Sequence, residues 1–458
     1  MTASSTPRAR PATDRSRRLI FPFMSGVYLV ANAVPDARVV VDGPRCAEGK
    51  VPWIGGGHDF LSTLDVQGLP RRVRTTRMAP DKLALSREDD VLTAFGEAAG
   101  EPGTGVVLVT SMPMALLTGM DVERLCRQTE EARGVPVRCV ASKAMDGDWL
   151  DGYEQALLAL AKGFPTPAEP PRPGTVALVG HLYDRNEEDQ NANVRELRRL
   201  LEALGLTVTS VWLDGSPYAS LGAAFEAATV VSLPYGRKAA QHVASRTGAR
   251  LVETALPVGL RATAAWVRAV GEATDRTAEA GRVIDAELGR VVPRLERAVA
   301  QHLAGLRVGF LGDPHLAAGV ADLVTSVDAD LAFVVLTNRP AHAEACLAAL
   351  PASTRALVYP RQGELNAFEP PPPREPTGVF LSSSLGDAVV PNWFFVELGF
   401  PSFHQHCFFE RPFLGFGGAA VLIEELTTSA ARLPRPARNE RRRRTHAPRG
   451  GDEGPARS

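Results

Sequence analysis

Cysteine is scarce in this chain. Five cysteines, at positions 46, 126, 139, 346 and 407, are spread over 458 residues. That is too few and too scattered for a disulfide framework, and it points to a reducing compartment. No Cys-x-x-Cys pair and no His-Glu-x-x-His occurs, which argues against a self-contained zinc site. An excess of one charge is missing as well. The formal net charge is −1, so nucleic acid is not expected as the main partner of the folded body. No run of eighteen apolar residues appears. The first residues bring arginines without the apolar core of a secretory signal. The expectation is a cytoplasmic protein that does not engage a membrane.

What is present is a strong alternation of apolar, β-branched runs with helical patterns. Strands are expected at 38–41, 106–110, 135–141, 176–179, 208–213, 229–233, 308–311, 331–336, 356–359 and 379–381. Between them, "DVERLCRQTEEARG", "NVRELRRLLEALG" and "RKAAQHVASRTG" place apolar residues three or four apart and finish at glycine, a helix stop signal. A long helical stretch is expected from 262 to 304. Buried strands followed by such helices are βαβ units. The fold class is therefore α/β, with three Rossmann-like doubly wound parallel-sheet domains around a central cleft.

Their expected bounds are 19–172, 173–305 and 306–432, the last with a C-terminal helix. The Pro-rich joint "FPTPAEPPRPG" separates the first two, and "EPPPPREP" at 369–376 reads as a surface loop. Residues 1–18 and the Arg-rich tail 433–458 are poor in apolar residues and are expected to be disordered. Strand-ending loops such as "VTSMP", "LVGHLYD", "SLPYG", "FLGDP" and "LSSSLGD" would line the shared cleft, because ligands in open α/β sheets bind at the carboxyl ends of strands.

One loop needs its own explanation. In "ARVVVDGPRCAEGKVPW", residues 37–53, an apolar run breaks at Asp42-Gly43-Pro44, and Cys46 and a Gly49-Lys50 pair follow. A strand feeding a Gly-rich turn that ends in Gly-Lys looks like a phosphate loop. The spacing is wrong for one. Five residues separate Gly43 from Gly49 where four are needed, and Val51 stands where a Ser or Thr would bind magnesium. Pro44 also removes an N–H donor from the would-be cradle.

Over residues 20 to 430 the chain resembles the nitrogenase component 1 family. This family includes the molybdenum-iron protein subunits and the dark-operative protochlorophyllide and chlorophyllide reductase subunits. The resemblance is carried by "DGPRCA", which is similar to the family's His-Gly-Pro-x-Gly-Cys, and by "TSMPMALLTGMD", similar to Thr-Ser-Cys-Pro and a following Gly-Asp-Asp. "DRNEEDQNANVRELRRLLEALGL", "SLPYGRKAAQHVASRTGARLVETALPVGL" and "ELGFPSFHQHCFFERPFLGFGGAAVLIEEL" extend it in order. The resemblance implies a component of an ATP-dependent two-component oxidoreductase, assembled as a heterotetramer. A homologous subunit would share a [4Fe–4S] cluster at the interface, and an ATP-driven iron protein would deliver electrons to an unsaturated, tetrapyrrole-like small-molecule substrate.

Departures from the family pattern qualify that expectation. Cluster-binding subunits offer three cysteines. Here "LIFPFMSGVYLV" has none, Met112 replaces another, and Cys46 sits one residue early. Iron–sulfur centres prefer thiolate donors, and a thioether is a poor substitute. No complete cluster can be held by this chain alone. Three arrangements remain open. A partner bearing more cysteines could supply three ligands, with Cys46 or Asp42 as the fourth. A cluster-free scaffold or tetrapyrrole-binding assembly protein is the second. A homodimer pairing two copies of Cys46 is the third. Cys46 could also be a buried small hydrophobe.

By the same resemblance Ser232 stands where the nitrogenase catalytic subunit presents a cysteine to its metallocofactor. His404 or His406 stands near its histidine ligand. His404 and His406 are the catalytic candidates, because histidine titrates near neutrality; packing among Phe403, Phe408 and Phe409 is the alternative. His181, Asp184 and Arg185 would meet an anionic group or serve as loop charges. Tyr235 and Arg237 open a helix, where Arg237 could clamp a carboxylate with two hydrogen bonds or remain an exposed helix-start charge. His58 carries no assigned role, and Cys126, Cys139 and Cys346 read as core.

Overall fold

The computed structural model describes residues 16–79, 87–143, 145–368, 377–387 and 393–434. Three parallel sheets organise it. The first contains β1 (Ala37–Asp42), β2 (Val73–Thr75), β3 (Val106–Ser111) and β4 (Val137–Cys139), in the order β2-β1-β3-β4. The second contains β5 (Arg172–Val179), β6 (Thr207–Val211), β7 (Ala227–Ser232) and β8 (Arg250–Glu253), in the order β6-β5-β7-β8. The third contains β9 (Arg307–Gly312), β10 (Asp330–Leu336), β11 (Arg355–Val358), β12 (Val379–Ser382) and β13 (Phe394–Glu397), in the order β11-β10-β9-β12-β13.

The central strands are continuous apolar runs because helices cover both faces. In β1 and β3 the alternation of side chains feeds two cores. Val40, Val107 and Val109 join a small cluster with Phe95 and Leu125, while Val39, Val41, Val106 and Leu108 face the large core that runs through the molecule. The helices Val122–Arg133 and Arg237–Thr247 stop at Gly134 and Gly248, whose φ of 68° and 73° suits glycine. Helices Phe23–Ala33 and Trp149–Ala161 meet backbone to backbone. A Cβ on Gly152 would lie 1.9 Å from the Phe23 carbonyl oxygen, and one on Gly26 would lie 2.0 Å from that of Trp149.

All ten expected strands form, and three more join them at sheet edges: β2, β8 and β13. The helical stretch divides into Leu260–Ala273 and Thr277–Ala298, with Asp275 at φ 57° between them. β5 begins at Arg172, inside the proline-rich joint, whose last three residues are the strand's exposed start. The segment 369–376, residues 1–15 and residues 435–458 lie outside the described residues. Residues 16–18, read from the sequence as part of a disordered start, lie against the third sheet, with the Arg18 guanidinium 4.3 Å from the Tyr359 ring centre. The final helix, Gly415–Ala431, packs on the helices Glu188–Ala203, Leu260–Ala273 and Thr277–Ala298, so the third unit reaches back over the second.

Candidate functional site

The Gly-Pro loop leaves β1 at Asp42, turns through Gly43-Pro44 and enters a short helical turn, Arg45–Lys50, before the helix Val51–Ile54. Cys46 lies on that turn and is exposed. The loop following β3 runs beside it. Met112 N–H donates to the Asp42 carbonyl oxygen at 2.9 Å. A Cβ on Gly43 would lie 2.7 Å from the Met112 sulfur, so the turn passes the Met112 side chain at close range. Beneath the turn, Tyr28 O–H donates to the Ala47 carbonyl oxygen at 3.2 Å. Burial, helped by Glu48 and the Cys46 thiol, pushes the Tyr28 phenol well above its ordinary range. Burial and Arg17 together lower the Lys50 ammonium. Around this edge Trp53 is 57% exposed and Leu117 83%.

Asp42 faces the other way. Its carboxylate receives both terminal nitrogens of Arg87, at 2.9 and 3.1 Å, and the Thr76 hydroxyl at 2.7 Å. The Arg87 and Asp42 side chains are 2% and 1% exposed. Of the two metal-ligand candidates in the loop, the structure presents Cys46 to the outside and commits Asp42 to the interior. The donor set is one accessible thiol beside one thioether. Such a set suits a single corner of a cluster completed by another polypeptide, since iron–sulfur clusters take four such ligands.

At the carboxyl ends of the three sheets a second group of polar residues converges. The loop after β5 and the start of the helix Glu188–Ala203 join the other two units. Asn32 Nδ2 and the Asn186 N–H both donate to Asp59, at 2.7 and 3.0 Å. Arg185 holds Asp189 through two of its nitrogens and donates to the Gln405 carbonyl oxygen at 2.8 Å. Glu187 accepts from the Phe60 and Cys407 N–H groups, at 3.2 and 2.7 Å. Asn193 accepts from the Phe413 and Leu414 N–H groups.

His58, given no role from the sequence, sits in the middle. Its Nδ1 accepts from the Ser402 N–H at 2.9 Å, and its Nε2 lies 3.1 Å from the Asp184 carbonyl oxygen. Burial, then Arg185, lowers this imidazole to about 4. Burial raises the Asp184 and Asp313 carboxyls to about 6.

Of the residues expected to meet a substrate, Ser232, Tyr235 and Arg237 are bonded inside the chain. Arg237 donates to the Ser232 and Thr254 carbonyl oxygens and, at 3.1 Å, to Ser232 Oγ. It closes the ends of β7 and β8 instead of facing a cleft. Tyr235 O–H donates to Asp313 at 3.0 Å. His181 is fully buried near Tyr183, and burial lowers its ring to about 4. His404 lies on the surface, 3.7 Å from Asp387. His406 pairs through Nδ1 with Glu187 at 2.7 Å and stacks on Phe60 at 3.5 Å.

The central cavity, lined by Asp184, Arg185, Tyr235, Gln405 and Cys407 among others, measures about 60 Å³. A few waters fit there, whereas small-molecule sites occupy roughly 300–1,000 Å³. One further cluster, Asp148, Asp151 and His342, gathers its ligand atoms within 4.8 Å. Lys143 and the Arg339 N–H already occupy these carboxylates, and His342 Nε2 reaches Asp151 at 3.2 Å. The group joins the helices Trp149–Ala161 and Pro340–Ala349. The signal for the central junction was the run "DRNEEDQNAN", unusually polar for the entry of a buried helix.

No helix among the described residues is long and apolar enough to cross a membrane. Two solved structures titled "Nitrogenase Cp1", one at pH 6.5 and one at pH 5, share this fold. The first superposes with a TM-score of 0.75 at 17% identity, covering 93% of this chain and 95% of that one. The second gives 0.69 at 14% identity, covering 92% and 90%. A nitrogenase iron-iron protein beta chain from Rhodobacter capsulatus is 24% identical over 359 residues, which is 72% of this chain and 76% of that protein. Residues 23–430 match the family described as nitrogenase component 1 type oxidoreductase. The fold with its three parallel sheets and the match along nearly the whole described chain place this protein in the nitrogenase component 1 family.

Proposed function

We propose that this chain is the ligand-poor subunit of a nitrogenase-like, ATP-dependent two-component oxidoreductase. In this reading a homologous subunit with more cysteines contributes three thiolates to a [4Fe–4S] cluster, and Cys46 contributes the fourth. When bound, such a cluster relays single electrons from an ATP-dependent iron protein. The observation that carries the reading is the exposed Cys46 on a turn packed against Met112, at an edge where Trp53, Leu116 and Leu117 leave apolar surface exposed. The kinship with a beta chain supports it too.

The unsaturated substrate is assigned to the partner, because the central junction here has about 60 Å³ of free space. Ser232, Tyr235, Arg237 and His181 then serve the fold of this chain. His406 likewise serves this chain's own structure, paired through Nδ1 with Glu187 and stacked on Phe60.

A cluster-free scaffold is the competing reading, favoured by the thioether of Met112 in a cysteine position. Anaerobic co-purification with the homologous subunit separates the two. Iron, sulfide and a broad visible absorbance should accompany the complex and fall with Cys46→Ala. A fully assembled complex devoid of iron would leave the scaffold reading standing.

A further inference from the structure

We infer that Asp42 and Arg87 are positioning residues that give the Gly-Pro loop its shape without metal, so that Cys46 is presented before any iron arrives. Three chain segments meet at one carboxylate. Asp42 ends β1 and takes three hydrogen bonds, two from Arg87 at the start of the helix Glu88–Gly100 and one from Thr76. The Thr76 hydroxyl in turn accepts from the Gly43 N–H at 3.1 Å. Met78 N–H donates to the Gly43 carbonyl oxygen at 3.0 Å, Thr76 N–H to that of Val41 at 3.1 Å, and Met112 N–H to that of Asp42 at 2.9 Å. The backbone on both sides of Gly43 is thereby fixed, and Cys46 begins three residues later.

With both oxygens engaged at 1% exposure, Asp42 has no route to an ion at the surface. Burial makes the pair interdependent, because removing either charge strands the other in the interior. In a loop tied only by metal thiolates, loss of iron would free the turn. Here an internal ion pair supplies the tie. The first half of this inference stands apart from the proposed function; the presentation of Cys46 to a cluster rests on it.

The test is amide hydrogen exchange on the full-length chain, purified and held in chelator. The Gly43, Thr76, Met78 and Met112 amides should be protected in the metal-free wild type. Arg87→Lys keeps the charge but loses one arm of the fork. Removing one hydrogen bond to a charged group should speed exchange of these four amides about tenfold, leaving β5 and β7 unchanged. Arg87→Met is the stronger variant and should also lower the unfolding midpoint.

In the complex with the homologous subunit, Arg87→Lys should reduce iron content although Cys46 is intact. Unprotected loop amides in the metal-free wild type, or wild-type exchange in Arg87→Lys, would overturn the inference. Protected amides in a wild-type complex that never takes up iron would instead refute the cluster reading and leave the clamp in place.

Discussion

The Gly-Pro loop and the central junction are both rich in the residue types that do chemistry, and the chain treats them in opposite ways. At the junction Asp59, Arg185, Glu187 and Asn193 are joined to one another or to backbone groups of a different sheet unit. At the loop the carboxylates of Asp42 and Glu48 are bonded within the first unit, and Cys46 is left facing out. The difference teaches that residue type does not separate a site from a joint. What separates them is whether donor atoms remain free once the units have closed. A buried polar group without a partner is costly, so the polar side chains brought together at the junction bond to one another and to the backbone.

The comparison can be broken most forcefully at the junction. Arg185→Met strands Asp189 and Glu187 in the interior and should cost about 3–5 kcal/mol in denaturant unfolding. A loss near zero would mean that the junction is a solvated cleft. Gly180 comes next, at the end of β5 with a φ of 97° and the Leu233 carbonyl oxygen 2.4 Å from where a Cβ would sit. Gly180→Ala should cost about 1–3 kcal/mol by the same assay.

A third prediction concerns pH. Burial alone would lower His342, but Asp151 and Asp148 outweigh it and raise the imidazole above its ordinary value. A raised folded value means that the charged form stabilises the fold. That contribution is complete below 6.5, the ordinary value, and is lost as pH rises through the elevated one. His58 and His181 act in the reverse sense. Lowered to about 4, they support the fold above their ordinary value of 6.5 and cease to do so as pH falls toward 4. Unfolding midpoints of His342→Gln should therefore lack the alkaline decline of the wild type while keeping its acid decline. The smallest effect is expected at the loop. Cys46→Ser in the isolated chain should change stability by no more than about 0.5 kcal/mol. A loss comparable to that of Arg185→Met would erase the distinction between the two regions.

Much of the architecture was legible before the fold was known. β1, β3, β5, β7, β9 and β12 are largely buried on both faces, so their apolar runs stand out in the sequence. β2, β8 and β13 escaped because they are short: Val73–Thr75 has three residues, and Arg250–Glu253 and Phe394–Glu397 have four each, too few to show a period. The site was half legible. The resemblance singled out Cys46, Asp42, Ser232, His404 and His406, and residue type and position added Tyr235, Arg237 and His181. It could not say that Arg87, forty-five positions downstream of Asp42, claims that carboxylate. His58 was passed over because its partners, Asp184 and Ser402, are 126 and 344 residues away.

Apolar periodicity is a local property, and so the order of strands and helices, and with it the three-sheet design, was fixed by the chain's own text. Scarcity of thiols was written there as well. Which polar atoms stay free was decided only when the three units closed, because long-range hydrogen bonds and burial give groups such as Asp42, His58 and Glu187 partners that no short stretch of sequence contains. That closure sealed the junction and left Cys46 outside.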